Sequence, residues 1–124
     1  MTDEINKLLE KAQKSLDAAE DLLQNGYPDF TISRAYYSML YCAKALLISK
    51  QLTFKKHSAI ISYFGKEFIK TNELPPELHR FFLEAFKDRQ KADYETEFEF
   101  TDEMASTMLE KANKFLAVTK KYLE

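Results

Sequence analysis

The chain has 124 residues, 45% hydrophobic and 31% charged, with only 2 glycines and 3 prolines. That composition supplies enough apolar surface for a folded core, which excludes a disordered chain, and too few turn residues for an all-β protein of many tight turns. A net charge of −2 excludes an overall basic footprint of the kind a non-specific nucleic-acid binder carries, and a single cysteine, Cys42, excludes an internal disulfide and a cysteine-based zinc site.

The length suits one domain spanning 1–124. The start, Met1-Thr2-Asp3-Glu4, is acidic and unlike a secretion signal, and no apolar run reaches membrane-spanning length, so a cytoplasmic protein with no membrane contact is expected. A first helix is predicted over about 3–25. Ile5, Leu8, Leu9, Ala12, Leu16, Ala19 and Leu23 keep to one face, and Gly26 sits where a left-handed C-cap is wanted. Pro28-Asp29 then starts a second helix that runs to about Lys50. Tyr36, Met39, Leu40, Cys42, Ala43, Leu46 and Leu47 make it apolar over most of its circumference, which places it in the middle of a bundle.

Residues 50–57 have no helical period and read as a loop. A third helix is expected over about 58–70, with Ser58 as its cap and Ile60, Ile61, Phe64, Phe68 and Ile69 facing inward. A turn at 71–74 and the prolines Pro75 and Pro76 lead into a fourth helix over about 76–94, with the stripe Leu78, Phe81, Phe82, Ala85 and Phe86. Residues 95–100 alternate at period two but have no partner strand, so an extended loop docking Phe98 and Phe100 is expected. Thr101 caps a last helix whose face is Met104, Met108, Leu109, Ala112, Leu116 and Leu123. Short connections between long helices give an all-α fold, an up-and-down bundle of four to five helices.

The polar residues of the second helix are not scattered. Arg34, Tyr37, Ser38, Tyr41 and Lys44 recur at helical spacing and share one side. A narrow stripe of guanidinium, phenol and ammonium groups on an otherwise apolar helix suits a groove that binds an anion. The plainer alternative puts the tyrosines at the bundle rim and pairs Arg34 with an acid. Arg89 continues the apolar stripe of the fourth helix and is therefore directed inward, where a lone charge is costly. Asp93, four residues on, is spaced to pair with it. That pair is either structural or a device for presenting Arg89 to a phosphate. His57 follows Lys55 and Lys56 at a helix start, which suits either a local anion site or a solvated cap. His79 reads as a surface residue. Asp93 to Glu103 holds six acids and no base, a solvated acidic loop by default. No glycine-rich phosphate loop, HExxH, Glu-x-x-His or Cys/His cluster occurs, so neither a metal nor a cofactor is expected.

Residues 33–47, Ser-Arg-Ala-Tyr-Tyr-Ser-Met-Leu-Tyr-Cys-Ala-Lys-Ala-Leu-Leu, closely resemble the central helix of the HEPN family (higher eukaryotes and prokaryotes nucleotide-binding domain). Residues 56–64 and 89–94 are similar to two further signatures of that family. The resemblance covers essentially the whole chain. It implies a helical bundle, commonly homodimeric, and often encoded beside a minimal nucleotidyltransferase in toxin–antitoxin pairs. Active members are metal-independent ribonucleases whose motif is an arginine followed after four to six residues by a histidine. Arg89 matches the motif's arginine, but Tyr94, Glu95 and Thr96 stand where the histidine would fall. The ribonuclease activity is therefore not carried over, and a catalytic residue is not assigned. The expected function is binding of a nucleotide or an RNA phosphate through Arg34, Tyr37, Tyr41, Lys44, His57, Arg89 and Asp93, as a homodimer partnered with a nucleotidyltransferase. The alternatives are a ribonuclease toxin in which His57 replaces the missing histidine, and a non-catalytic protein-interaction module.

Overall fold

In a computed structural model, which describes residues 2–124, α1 (Asp3–Gln24) starts at Thr2, whose hydroxyl accepts the Ile5 N–H at 3.2 Å. The helix ends as the sequence predicts. Gly26 takes φ 84°, and the N–H groups of Gly26 and Tyr27 close back onto the Leu23 and Leu22 carbonyls. Ile5, Leu9, Ala12, Leu16 and Ala19 form its buried stripe.

Helix α2 (Pro28–Ser49) is buried nearly all round and packs against every other helix. Its seam with α1 is set by three hydroxyls. Thr31 donates to the Ala19 carbonyl, Ser15 to the Arg34 carbonyl, and Ser38 to the Ala12 carbonyl, at 2.7–3.2 Å. The partners rise along α2 as they fall along α1, so the two helices are antiparallel. Ser38 is thus fully buried against α1 and does not share the polar side of Arg34 and Tyr37, a correction to the stripe inferred from spacing. One residue of helix is a rotation of about 100°, and that turns Ser38 away from Tyr37.

The third helix is not one piece. It is α3 (His57–Phe64) followed by a π turn, Gly65–Ile69, closed by the Lys70 N–H to the Gly65 carbonyl. Ser58 lies inside the helix and is not its cap; Lys56 occupies that position without a side-chain bond. Asn72 and Gln51, both at positive φ, terminate this segment and α2 in the way Gly26 terminates α1.

Helix α4 (Glu77–Tyr94) and α5 (Asp102–Leu123) complete the bundle. Glu84 with Lys111 and Glu77 with Lys114 run in opposite senses, so these two are antiparallel as well. The Thr101 hydroxyl caps α5 by accepting the Met104 N–H. The α5 face differs from its predicted membership. Met104 is 40% exposed, whereas Phe115, absent from the expected stripe, is fully buried. The rings of Phe64, Phe82 and Phe115 meet pairwise at 5.3–5.8 Å and form the centre of the core. Between α4 and α5, Phe100 is buried and Phe98 packs on it at 4.8 Å, as the extended-loop reading expects. The fold is an all-α up-and-down bundle of five helices; among the described residues there is no strand, and no helix is long and apolar enough to cross a membrane.

Candidate functional site

Three elements converge on one end of the polar side of α2. Helix α2 supplies Arg34, Tyr36 and Tyr37, the first residue of α3 is His57, and the last two turns of α4 supply Phe86, Arg89 and Asp93. The loop 50–56 folds back over α2 and so delivers His57 beside a tyrosine twenty-one residues earlier.

Tyr37 is the centre of the cluster. The Arg34 guanidinium lies over its ring at 4.6 Å and that of Arg89 at 5.4 Å. Arg89 Nη2 donates to Tyr37 Oη at 3.1 Å. Arg89 Nε sits 3.0 Å from Asp93 Oδ2, but its N–H is not aimed at the carboxylate, so that contact is an ion pair without a directed hydrogen bond. The inward direction of Arg89 and its pairing with Asp93 are both present, with side-chain exposures of 16% and 28%. Arg34 is half-buried, and among the described residues its guanidinium has neither a hydrogen-bond acceptor nor a carboxylate within 4 Å.

Tyr36 is the residue the sequence reading missed. It was assigned to the core, and its ring is indeed fully buried, with Phe82 and Phe86 at 6.1 and 6.0 Å. Its hydroxyl, however, is 2.9 Å from His57 Nδ1. Burial pushes the Tyr36 phenol above the ordinary tyrosine range, with Arg89 opposing, so it keeps its proton. Among the described residues the O–H has no other acceptor; donating to Nδ1, it leaves the proton of the neutral ring on Nε2. Burial first, and then the charges of Arg89 and Lys44, hold His57 below the ordinary imidazole value. It is neutral at pH 7. Its ring meets Tyr37 edge-on at 5.9 Å.

Tyr41 and Lys44 lie further along α2. Tyr41 touches Tyr37 at 6.2 Å and carries Lys11 over its ring at 5.0 Å. Lys44 lines a separate depression between α1, α2 and α3. His79, read as a surface residue, is instead half-buried, with Nε2 enclosed beside Gly65 and without a hydrogen-bond partner among the described residues. Among the described residues no three His, Cys, Asp or Glu side chains converge as a metal site. The arrangement can hold an anion between two guanidinium groups, stack a planar group on tyrosine, and offer a neutral imidazole N–H to the same space.

A family model described as the HEPN domain matches residues 5–122. A Methanocaldococcus jannaschii protein named "Putative toxin" is 52% identical over 120 residues, covering 97% of this chain and 82% of its own length. A UPF0332 protein of Thermotoga maritima is 36% identical, covering 92% and 86%. The crystal structure of TT1696 from Thermus thermophilus superposes with a TM-score of 0.84 at 19% identity, over 98% of this chain and 99% of that one, and so shares the fold.

Proposed function

The chain belongs to the HEPN domain family, and from that premise we propose that the Arg34–Tyr37–Arg89 cluster binds the phosphate of a nucleotide or of RNA. The observation that carries this reading is the convergence of two guanidinium groups on the Tyr37 side chain, of which Arg34 has neither a hydrogen-bond acceptor nor a carboxylate partner among the described residues. A half-buried guanidinium with no acceptor among the described residues keeps its N–H groups available to a ligand. Phosphate oxygens would take the free N–H groups of both arginines, with Asp93 orienting Arg89. Tyr37 and Tyr41 would carry a base or ribose on their faces. The family and the name of its M. jannaschii relative support the wider reading: a homodimer working beside a minimal nucleotidyltransferase, as one half of a toxin–antitoxin-like pair.

Titration of a fluorescently labelled single-stranded RNA, with ATP as competitor, tests the site. Loss of one charge-assisted contact is worth about 1.5–3 kcal/mol, so Arg34→Ala and Arg89→Ala should each weaken binding about 10- to 100-fold. Unchanged affinity in both variants overturns the assignment.

One observation favours a second reading, the 2.9 Å Tyr36–His57 contact beside Arg89. In its other tautomer, with Nδ1–H donating to Tyr36 Oη, His57 would present a free Nε2 lone pair as general base for the proton of an RNA 2′-hydroxyl, while Arg34 and Arg89 stabilise the charge of the phosphorane. Incubation of the purified protein with RNA in chelator tests it: cleavage that disappears in His57→Ala supports a ribonuclease, and intact RNA argues against one.

A further inference from the structure

We propose that the depression between α1, α2 and the 50–56 loop is a second binding site, taking a free medium-chain fatty carboxylate. It is separate from the Arg34–Arg89 cluster and has a volume of about 490 Å³. Its lining is of two kinds. Leu8, Ile48 and Leu52, all partly buried, supply apolar surface that no other element covers, with Leu47 and Ile60 beneath. Four lysines also line it. Lys7 and Lys11 are one turn apart on α1, Lys44 projects from α2, and Lys55 comes from the loop. Among the described residues none of the four has a carboxylate within 4 Å; the remaining charged lining residue is Glu4. Four like charges beside an apolar wall repel one another in a chain whose net charge is −2, and an anion in the depression relieves that repulsion.

The lining decides the ligand's body as well as its head. Thr53 is the one uncharged side chain of the lining that can hydrogen-bond, so nothing is arranged to read the edge of a base. Phe54 already stacks on Tyr63 at 4.3 Å, so that ring face is taken. Lysine is a mobile point charge rather than a planar fork, which suits a terminal carboxylate at variable depth. An aliphatic body over Leu8, Ile48 and Leu52 then buries the surface that the bundle leaves open.

Titration of the full chain with decanoate, followed by amide shifts and calorimetry, tests the site. Saturable binding is expected, with the largest shifts at Leu8, Ile48 and Leu52. Octanoate, two methylenes shorter, should bind about fifteenfold more weakly, because each buried methylene is worth about 0.8 kcal/mol, close to a factor of four. Decanol, which lacks the charge, should bind at least tenfold more weakly. The double variant Lys7→Gln/Lys11→Gln and the single variant Lys44→Gln should weaken decanoate but not decanol. These are partly or fully exposed side chains, and circular dichroism checks that each variant is folded. Equal binding of decanol, shifts centred on Arg34 and Arg89, or no saturation at 1 mM, about the level at which weak specific ligands register, each overturns the proposal.

Discussion

Tyr36 Oη lies 2.9 Å from His57 Nδ1, a hydrogen bond that joins the most buried helix of the bundle to the first residue of the helix beside it. The bond does two things. It satisfies a phenol that is otherwise surrounded by Phe82 and Phe86, and it fixes the rotation of the imidazole. Tyr36→Phe keeps the ring packing and removes only the hydroxyl. It leaves Nδ1 without its partner and should cost about 1 kcal/mol of stability. Urea unfolding measures that loss, and a loss under 0.3 kcal/mol, below the usual range for such a bond, would show that the hydroxyl contributes no net stability.

The fold was legible where its determinants are local. The stripe on α1, the apolar circumference of α2, Gly26 and Thr101 each state their role through spacing or residue type, and each holds. What was not legible depends on pairs distant in sequence. Tyr36 looked like core because its period is that of the core; only the return of the 50–56 loop brings His57 to its hydroxyl. Ser38 was grouped with Arg34 by a spacing of four, although it faces Ala12 of α1. The reason position 65 is a glycine has no local sign either, because it is the His79 ring, which arrives from α4. Within the candidate site, the inward Arg89 and its pairing with Asp93 could be read from the sequence; Tyr37 as the point where two guanidinium groups meet could not.

The pH behaviour of His57 follows from its surroundings. Its folded-state pKa lies below 6.5, with burial, Arg89 and Lys44 as causes in that order. The unfolded chain therefore binds the proton more readily than the folded one. His57 makes stability fall as pH drops through 6.5 toward the folded pKa, and contributes no further change below it. Arg89→Gln removes one of the two positive charges and should raise the His57 pKa, with burial still opposing. Imidazole proton shifts followed by NMR between pH 4 and 8, a range that brackets the ordinary histidine value, read this directly; a pKa unmoved by the substitution contradicts a field from Arg89.

Glu73 titrates in the opposite sense. Lys50 at 2.6 Å, Thr71 at 2.6 Å and Tyr122 at 2.8 Å all donate to its carboxylate and hold it down to about 2 from 4.5. Three segments meet there: the end of α2, the turn after the π segment, and the end of α5. A depressed carboxylate contributes stability that is fully present above pH 4.5 and is lost as pH falls toward 2. Glu73→Gln removes that dependence. The difference in melting temperature between wild type and variant should therefore be greatest at neutral pH and shrink steadily below pH 4.5. A difference that stays constant across that window would mean the carboxylate is not stabilised in its charged form.

Gly65 and His79 give the sharpest test of packing. Gly65 has helical angles, φ −60° and ψ −45°, where alanine ordinarily gains about 1 kcal/mol over glycine. Here a Cβ would stand 2.9 Å from both Cε1 and Nε2 of His79. The ring is half-buried and packs against Phe64, at 6.2 Å between centroids. Overpacking of this kind costs about 1–3 kcal/mol, which outweighs the propensity gain. Gly65→Ala should therefore destabilise the protein by up to roughly 2 kcal/mol, the difference of those two effects. With His79→Ala the obstruction is gone, and the same substitution at Gly65 should become neutral or stabilising by up to about 1 kcal/mol. Denaturant unfolding of the two single variants and the double variant closes the cycle. Additive effects would mean that the imidazole is not what keeps position 65 a glycine.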